Sequence, residues 1–233
     1  MDANNPKIIV LILAGGNGFR IGRGNVLPKQ LMLINNKPII AYCLDIYQEI
    51  AMVDSIVLVI NNSYRAEFEA IVNKYSYSKV INIIPGGVTR QESISNGLSS
   101  INQCDVVIIQ NGTSIFTPRE LIMKCVEKSK THGAVSAFAK TEYSSFLKSD
   151  NYISKMIPRE NLCCVRDPQV FNFNLLQKLH QDSKKDQATF TNDVALAKDY
   201  GHDVFLIESS AANFKITTAH DLAIAKHLIK NGD

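Results

Sequence analysis

The sequence predicts an α/β protein with a mainly parallel sheet covered by helices on both faces. Two observations carry this. Short apolar runs alternate with amphipathic helix-period segments from beginning to end, the pattern of β-α units whose strands are buried on both faces. A glycine-rich turn directly follows the first apolar run, and open sheets take up ligands at the C-terminal ends of their strands.

Ile8–Leu13 reads as the first strand and Pro38–Glu49 as a helix. Ser55–Ile60 and Val80–Ile84 are strands, with Tyr64–Lys74 helical between them. In Gln91–Ile101, Ile94, Leu98 and Ile101 fall on one helical face. Asp105–Gln110 is the next strand. Thr117 followed by Pro118 is an N-cap with proline in the first turn, which starts the helix Pro118–Lys130. Ala134–Phe138 and Asp203–Ile207 are strands, and Asn192–Tyr200 and Ala219–Ile229 are helices. From Lys140 to Asp167 the rhythm breaks. This polar stretch is expected to form a protruding arm (140–167) within a single domain spanning 1–233, with a short strand pair around Tyr152–Met156 and Leu162–Val165.

Composition narrows the function classes. With 233 residues, 45% apolar and 20% charged, the chain can bury a sizeable core. A net charge of +3 is too small to argue for a nucleic-acid surface and fits a few cations gathered at an anionic pocket. Ile8–Leu13 is too short to span a bilayer, so no membrane partner and a cytoplasmic location are expected. Cys43, Cys104, Cys125, Cys163 and Cys164 lack metal-ligand spacing and read as reduced structural thiols. No nucleophile-elbow motif with a Ser-His-Asp order is present, which leaves covalent catalysis without support.

The turn reads Leu13-Ala14-Gly15-Gly16-Asn17-Gly18-Phe19-Arg20-Ile21-Gly22. Its glycines let backbone amides approach an anion. Ile21 stands where a dinucleotide fingerprint needs a third glycine, which argues against an oxidoreductase, and no Gly-Lys-Ser/Thr follows as in a Walker A loop. The remaining pattern is Gly-Gly-x-Gly-x-Arg with Leu27-Pro28-Lys29-Gln30 downstream. Arg20 offers a bidentate fork and Lys29 a point charge to phosphates.

Leu13–Gln30 and Pro38-Ile39-Ile40-Ala41-Tyr42 together resemble the cytidylyltransferases that act on methylerythritol phosphate and on ribitol 5-phosphate. The likeness continues at Gly86-Gly87-Val88-Thr89-Arg90-Gln91-Glu92-Ser93, Asp167-Pro168-Gln169-Val170-Phe171 and Asn213-Phe214-Lys215-Ile216-Thr217. The resemblance implies a Rossmann-like three-layer α/β/α sandwich with a projecting dimerisation arm. It implies transfer of CMP from CTP to a polyol phosphate with Mg2+ and release of pyrophosphate. By the same likeness Arg20, Lys29 and Lys215 stabilise the phosphates. Ala14, Gly15, Gly16, Gly18, Gly87, Arg90 and Ser93 contact the nucleotide, and Thr141 and Arg159 bind the acceptor, across a homodimer interface. Asp193 matches a family acidic position and equally suits a helix N-terminus. Asn36-Lys37-Pro38-Ile39-Ile40 leans toward ribitol 5-phosphate as acceptor, with methylerythritol 4-phosphate next.

The sequence departs from the family at two places, one of them Ala212, which precedes Asn213 where many methylerythritol-type members carry an acidic residue. Members carry an Asp-Ala-Ala-Arg-Pro-like run whose aspartate lies near metal and triphosphate. Aligned on Thr117-Pro118, the matching stretch Gln110-Asn111-Gly112-Thr113-Ser114 puts Gln110 at the aspartate and Thr113 at the arginine. Both charges are lost, which leaves the metal ligands unassigned. The alternative to an active enzyme is therefore a CTP-binding paralogue impaired in turnover.

Overall fold

The computed structural model describes residues 6–16 and 27–231. Strand β1 (Ile8–Ala14) leads through a small ribbon, β2 (Leu33–Ile34) with β3 (Lys37–Pro38), into helix α1 (Ile39–Glu49). Then come β4 (Ser55–Ile60), α2 (Arg65–Lys74), β5 (Val80–Pro85), α3 (Arg90–Ser99), β6 (Val106–Asn111), α4 (Arg119–His132) and β7 (Ala134–Lys140). A hairpin of β8 (Ser145–Ser149) and β9 (Tyr152–Ile157) precedes β10 (Cys163–Asn172). The chain ends with α5 (Phe173–Lys185), α6 (Asp193–Asp199), β11 (Phe205–Glu208) and α7 (Ala219–Asn231).

The main sheet runs β11-β7-β10-β6-β1-β4-β5. Its pairs are parallel except those of β10, which runs antiparallel to both β6 and β7. Alternation along β1 sorts the core onto two faces. Ile8, Val10, Ile12 and Ala14 pack with α1, α2, α4 and α7, while Ile9 and Leu11 pack with α3, α5 and α6. This is the expected three-layer α/β/α sandwich. The close seating of α3 on β1 depends on Gly97, where a Cβ would stand 2.3 Å from Leu11 Cδ1.

Two details correct the sequence reading. Tyr152–Ile157 pairs with Ser145–Ser149, not with Leu162–Val165, because Asp150 takes a positive φ of 52° and closes a tight turn between them. Leu162–Val165 instead leads into β10, whose register with β7 shifts between Arg166 and Gln169 around the cis Asp167–Pro168 bond. A proline there argues against a central strand by the usual rule; the bulge is what accommodates it. Helix α5, unread from sequence, buries Phe173, Leu176 and Leu179.

The β8–β9 hairpin exposes Phe146, Leu147, Tyr152, Ile153 and Met156. Cys43, Cys104 and Cys125 are buried free thiols, and burial pushes those of Cys104 and Cys125 up to about 12. No helix among the described residues is long and apolar enough to cross a membrane.

Candidate active site

The site forms where β1, β5 and β6 end and α3 begins. The turn Gly86–Arg90 is set by its own hydrogen bonds. Thr89 Oγ1 accepts from the Glu92 amide at 3.0 Å, and Glu92 Oε2 accepts from the Val88 and Thr89 amides at 2.7 and 3.3 Å, a complete capping box. Ser93 Oγ donates to the Thr89 carbonyl and accepts from the Gly87 amide. A Cβ on Gly87 would lie 2.3 Å from that of Glu92, so only glycine lets the turn close on the cap. Ser93 thus shapes the loop as well as facing the cleft.

A cleft of about 390 Å³ opens there and brings together Gly15, Gly16, Lys29, Gly87, Arg90, Ser93 and Lys215 from the candidate residues, with Asn111 and Thr113. Ala14 ends β1 fully buried and does not line it. Arg20 and Gly18 lie outside the described residues. Lys29, in a 3-10 turn (Lys29–Leu31), donates from Nζ to the Thr217 carbonyl at 3.2 Å, and the Ile216 amide donates to the Thr113 carbonyl at 3.1 Å. The N-terminal and C-terminal motifs are thereby fastened together beside Lys215.

A second cleft of about 230 Å³ adjoins the first and shares Arg90, Asn111 and Lys215 with it. Arg166, Asp167, Gln169 and Thr191 complete its wall. Thr141 and Arg159 come together at the base of the arm in a separate cleft of about 640 Å³. Within one chain they do not join the other candidates.

Arg90 is the best-anchored cation. Its Nη1 donates to Asp193 Oδ2 at 2.7 Å, while Nη2 is buried with no partner among the described residues. His180 Nε2 lies 2.8 Å from Asp193 Oδ1, and its Nδ1 lies 2.9 Å from Ser95 Oγ. Burial alone would raise the Asp193 carboxyl, but Arg90 and His180 outweigh it and hold it below the usual carboxylate range. A helix-terminus role for Asp193 is therefore incomplete, since its main partner lies 103 positions away in sequence.

The structure separates the two neighbouring residues of this departure. Gln110 is fully buried, accepting from Tyr47 Oη at 2.7 Å and donating to the Ser114 carbonyl and Thr117 Oγ1 at 2.9 and 3.0 Å. It is a core residue, and Asn111, on the opposite face of the strand, reaches both clefts. Gln110→Asp is accordingly expected to cost about 2 kcal/mol or more of stability, by burying a charge and losing the amide donors. It should leave turnover no better; a rise in pyrophosphate release would contradict this placement.

Among the described residues no group of three or more His, Cys, Asp or Glu could by itself hold a metal ion. The one carboxylate in the walls of the two clefts among the described residues, Asp167, is the kind of single protein ligand that Mg2+ takes beside water and substrate phosphate oxygens.

The family model described as IspD, 2-C-methyl-D-erythritol 4-phosphate cytidylyltransferase, matches residues 8–231. A protein of that name from Clostridium perfringens is 34% identical over 225 residues, covering 96% of this chain and 99% of its own. One from Clostridium botulinum is 33% identical over 226 residues, covering 96% and 98%. The solved 4-diphosphocytidyl-2C-methyl-D-erythritol synthase of Anaerococcus prevotii shares the fold with a TM-score of 0.85 at 22% identity, over 97% of both chains. The Thermus thermophilus cytidylyltransferase does so at 0.78 and 22%, over 95% and 98%. All these names carry methylerythritol, so the lean toward the ribitol 5-phosphate branch finds no support in them. With seven of the candidate residues lining one cleft and the family model matching nearly the whole length, the chain belongs to the 2-C-methyl-D-erythritol 4-phosphate cytidylyltransferase family of nucleotidyltransferase enzymes.

Proposed function

We propose that this protein transfers CMP from CTP to 2-C-methyl-D-erythritol 4-phosphate and releases pyrophosphate. The observation that carries this reading is the pair of polar clefts sharing Arg90, Asn111 and Lys215. CTP is assigned to the larger cleft and the acceptor phosphate to the smaller. An acceptor phosphate oxygen attacks the α-phosphorus, a new P–O bond forms, and the bond to the β-phosphate oxygen breaks as pyrophosphate leaves. The chain's task is alignment of these groups and stabilisation of charge on the phosphoryl oxygens. Lys215 and Arg90 supply cations along the shared wall and Lys29 one within the larger cleft, joined in this reading by Arg20. Mg2+, when bound, would neutralise phosphate charge there, and Asp167 is the cleft-facing carboxylate that would help hold it.

The exposed apolar side chains of the β8–β9 hairpin support a homodimer in which Thr141 and Arg159 at the arm's base complete the acceptor site of the partner. Retention of the cations favours an active enzyme over the impaired paralogue. The test is pyrophosphate release with CTP and Mg2+, offering methylerythritol 4-phosphate and ribitol 5-phosphate separately, then replacing CTP with other triphosphates. Turnover with methylerythritol 4-phosphate and CTP is expected. Faster turnover with ribitol 5-phosphate would overturn the acceptor assignment. CTP-dependent thermal protection without pyrophosphate from either acceptor would overturn the assignment of catalysis.

A further inference from the structure

Gln110, aligned with the family's strand-end aspartate, is buried in the core, and the neighbouring residue that faces the clefts is the neutral Asn111. One carboxylate nevertheless stands in the cleft walls among the described residues, that of Asp167, on the neighbouring antiparallel strand β10. It is 6% exposed and aligned by donors from the end of β6 and the turn after it. Asn111 Nδ2 donates to both of its oxygens at 2.9 Å, the Asn111 amide donates to Oδ2 at 3.3 Å, and Ser114 Oγ donates to Oδ2. The Asp167 carbonyl accepts in turn from Asn213 Nδ2 at 2.7 Å, which ties the carboxylate's backbone to the C-terminal motif. Donors crowd Oδ2, while Oδ1 accepts from one alone, so Oδ1 keeps a lone pair to offer. None of the ion pairs among the described residues involves Asp167, although Arg166 and Lys215 share its cleft. Its charge is balanced by dipoles, and a buried carboxylate so held is complemented well by a hard divalent cation.

We infer that Asp167 supplies, from β10, the carboxylate that this enzyme lacks at the end of β6, and that Asn111 and Ser114 are positioning residues that aim it toward the metal and the triphosphate. The neutral residue at 111 is then one half of an exchange, in which the amide holds and the neighbouring strand carries the charge. This rests on the assignment of CTP to the larger cleft and of Mg2+ to its boundary with the smaller one, whose wall Asp167 helps to form.

The experiment measures Mn2+ binding by electron paramagnetic resonance, with the full chain saturated by the α,β-methylene analogue of CTP, which cannot turn over. Affinity for the analogue is measured separately in EDTA. In Asp167→Asn, Mn2+ affinity is expected to fall about tenfold or more, while analogue affinity in EDTA stays within about twofold. Asp167→Thr is the second loss variant, smaller and still able to accept from Asn111; it should show the same fall should the asparagine variant fail to fold. The exchange variant Asn111→Asp/Asp167→Asn returns the charge to β6, keeps an amide–carboxylate pair, and should recover Mn2+ binding to within a few-fold of the unsubstituted protein. Wild-type Mn2+ affinity in a folded Asp167→Asn or Asp167→Thr protein would overturn the inference. So would an exchange variant no better than Asp167→Asn. Failure of the unsubstituted protein to bind the analogue, with or without metal, would instead overturn the functional reading beneath it.

Discussion

Lys215→Ala is expected to lower kcat/KM for CTP-dependent pyrophosphate release by about 100- to 1000-fold, roughly 3–4 kcal/mol in the barrier, the scale of losing one preorganised donor to developing charge. The reason is placement. Lys215 lines both clefts, which puts it at the junction where, in the proposed reaction, the bond to the acceptor forms and the bond to pyrophosphate breaks. Its backbone is fixed on both sides. Asn213 donates to the Asp167 carbonyl at 2.7 Å, and Ile216 is fully buried with its amide on the Thr113 carbonyl at 3.1 Å. Asp221, in the first turn of α7, accepts from the Thr217 and Thr218 amides at 2.8 and 2.7 Å. With the backbone already fixed, only the rotamers of the four-carbon stem remain to be ordered when it meets phosphate. The side chain itself is exposed, so stability should change by about 0.5 kcal/mol or less. Lys215→Arg should recover part of the rate only, since a planar fork does not reproduce a compact ammonium. Steady-state kinetics on the folded variant decide the matter, and a loss under about threefold would remove Lys215 from the catalytic wall.

Why some of this was legible in sequence and some not comes down to the range of the interactions. Six strands and all but one of the helices between them declare themselves through local periodicity, because the buried stretches of β1, β4 and β6 read as apolar runs. Strand β10 is equally central, yet Arg166, Asp167, Pro168 and Gln169 interrupt it, since that stretch lines a cleft while the strand bulges. The polar residues that hid the strand are the ones that make the site. Gln110 and Asn111 show the same limit on a smaller scale. Both are neutral amides side by side, and only the alternation of a placed strand tells which packs in the core and which faces the ligand. The motif residues Lys29, Arg90 and Lys215 could be assigned to one pocket from their resemblance, whereas the partners that hold them could not. Lys29 bonds a carbonyl 188 positions away, and nothing local announces it.

Asp193→Ala is expected to destabilise the fold by about 3–5 kcal/mol, the cost of removing one partner from a buried ion pair and leaving the other unpaired. Asp193 is 2% exposed and makes both the contact to Arg90 and the contact to His180. Its loss strands a guanidinium and an imidazole between α3, α5 and α6. Arg90 is partly open to the cleft, its side chain 27% exposed, and can turn toward water, which puts the expectation nearer the lower end. Urea unfolding of Asp193→Ala and of the near-isosteric Asp193→Asn measures it, the asparagine variant keeping the volume and one acceptor and so losing less. The pH dependence separates charge from packing. Because the folded-state carboxyl is held below its unfolded value, its contribution is fully present above the unfolded pKa and disappears as pH falls through the folded one. The stability gap between the unsubstituted protein and Asp193→Asn should therefore narrow as pH falls below about 4. A gap that persists unchanged into acid would mean that the carboxylate's shape, not its charge, holds Arg90. In that case KM for CTP should be nearly unaffected in Asp193→Asn, whereas loss of a charge-held Arg90 raises KM at every pH at which the native side chain is ionised.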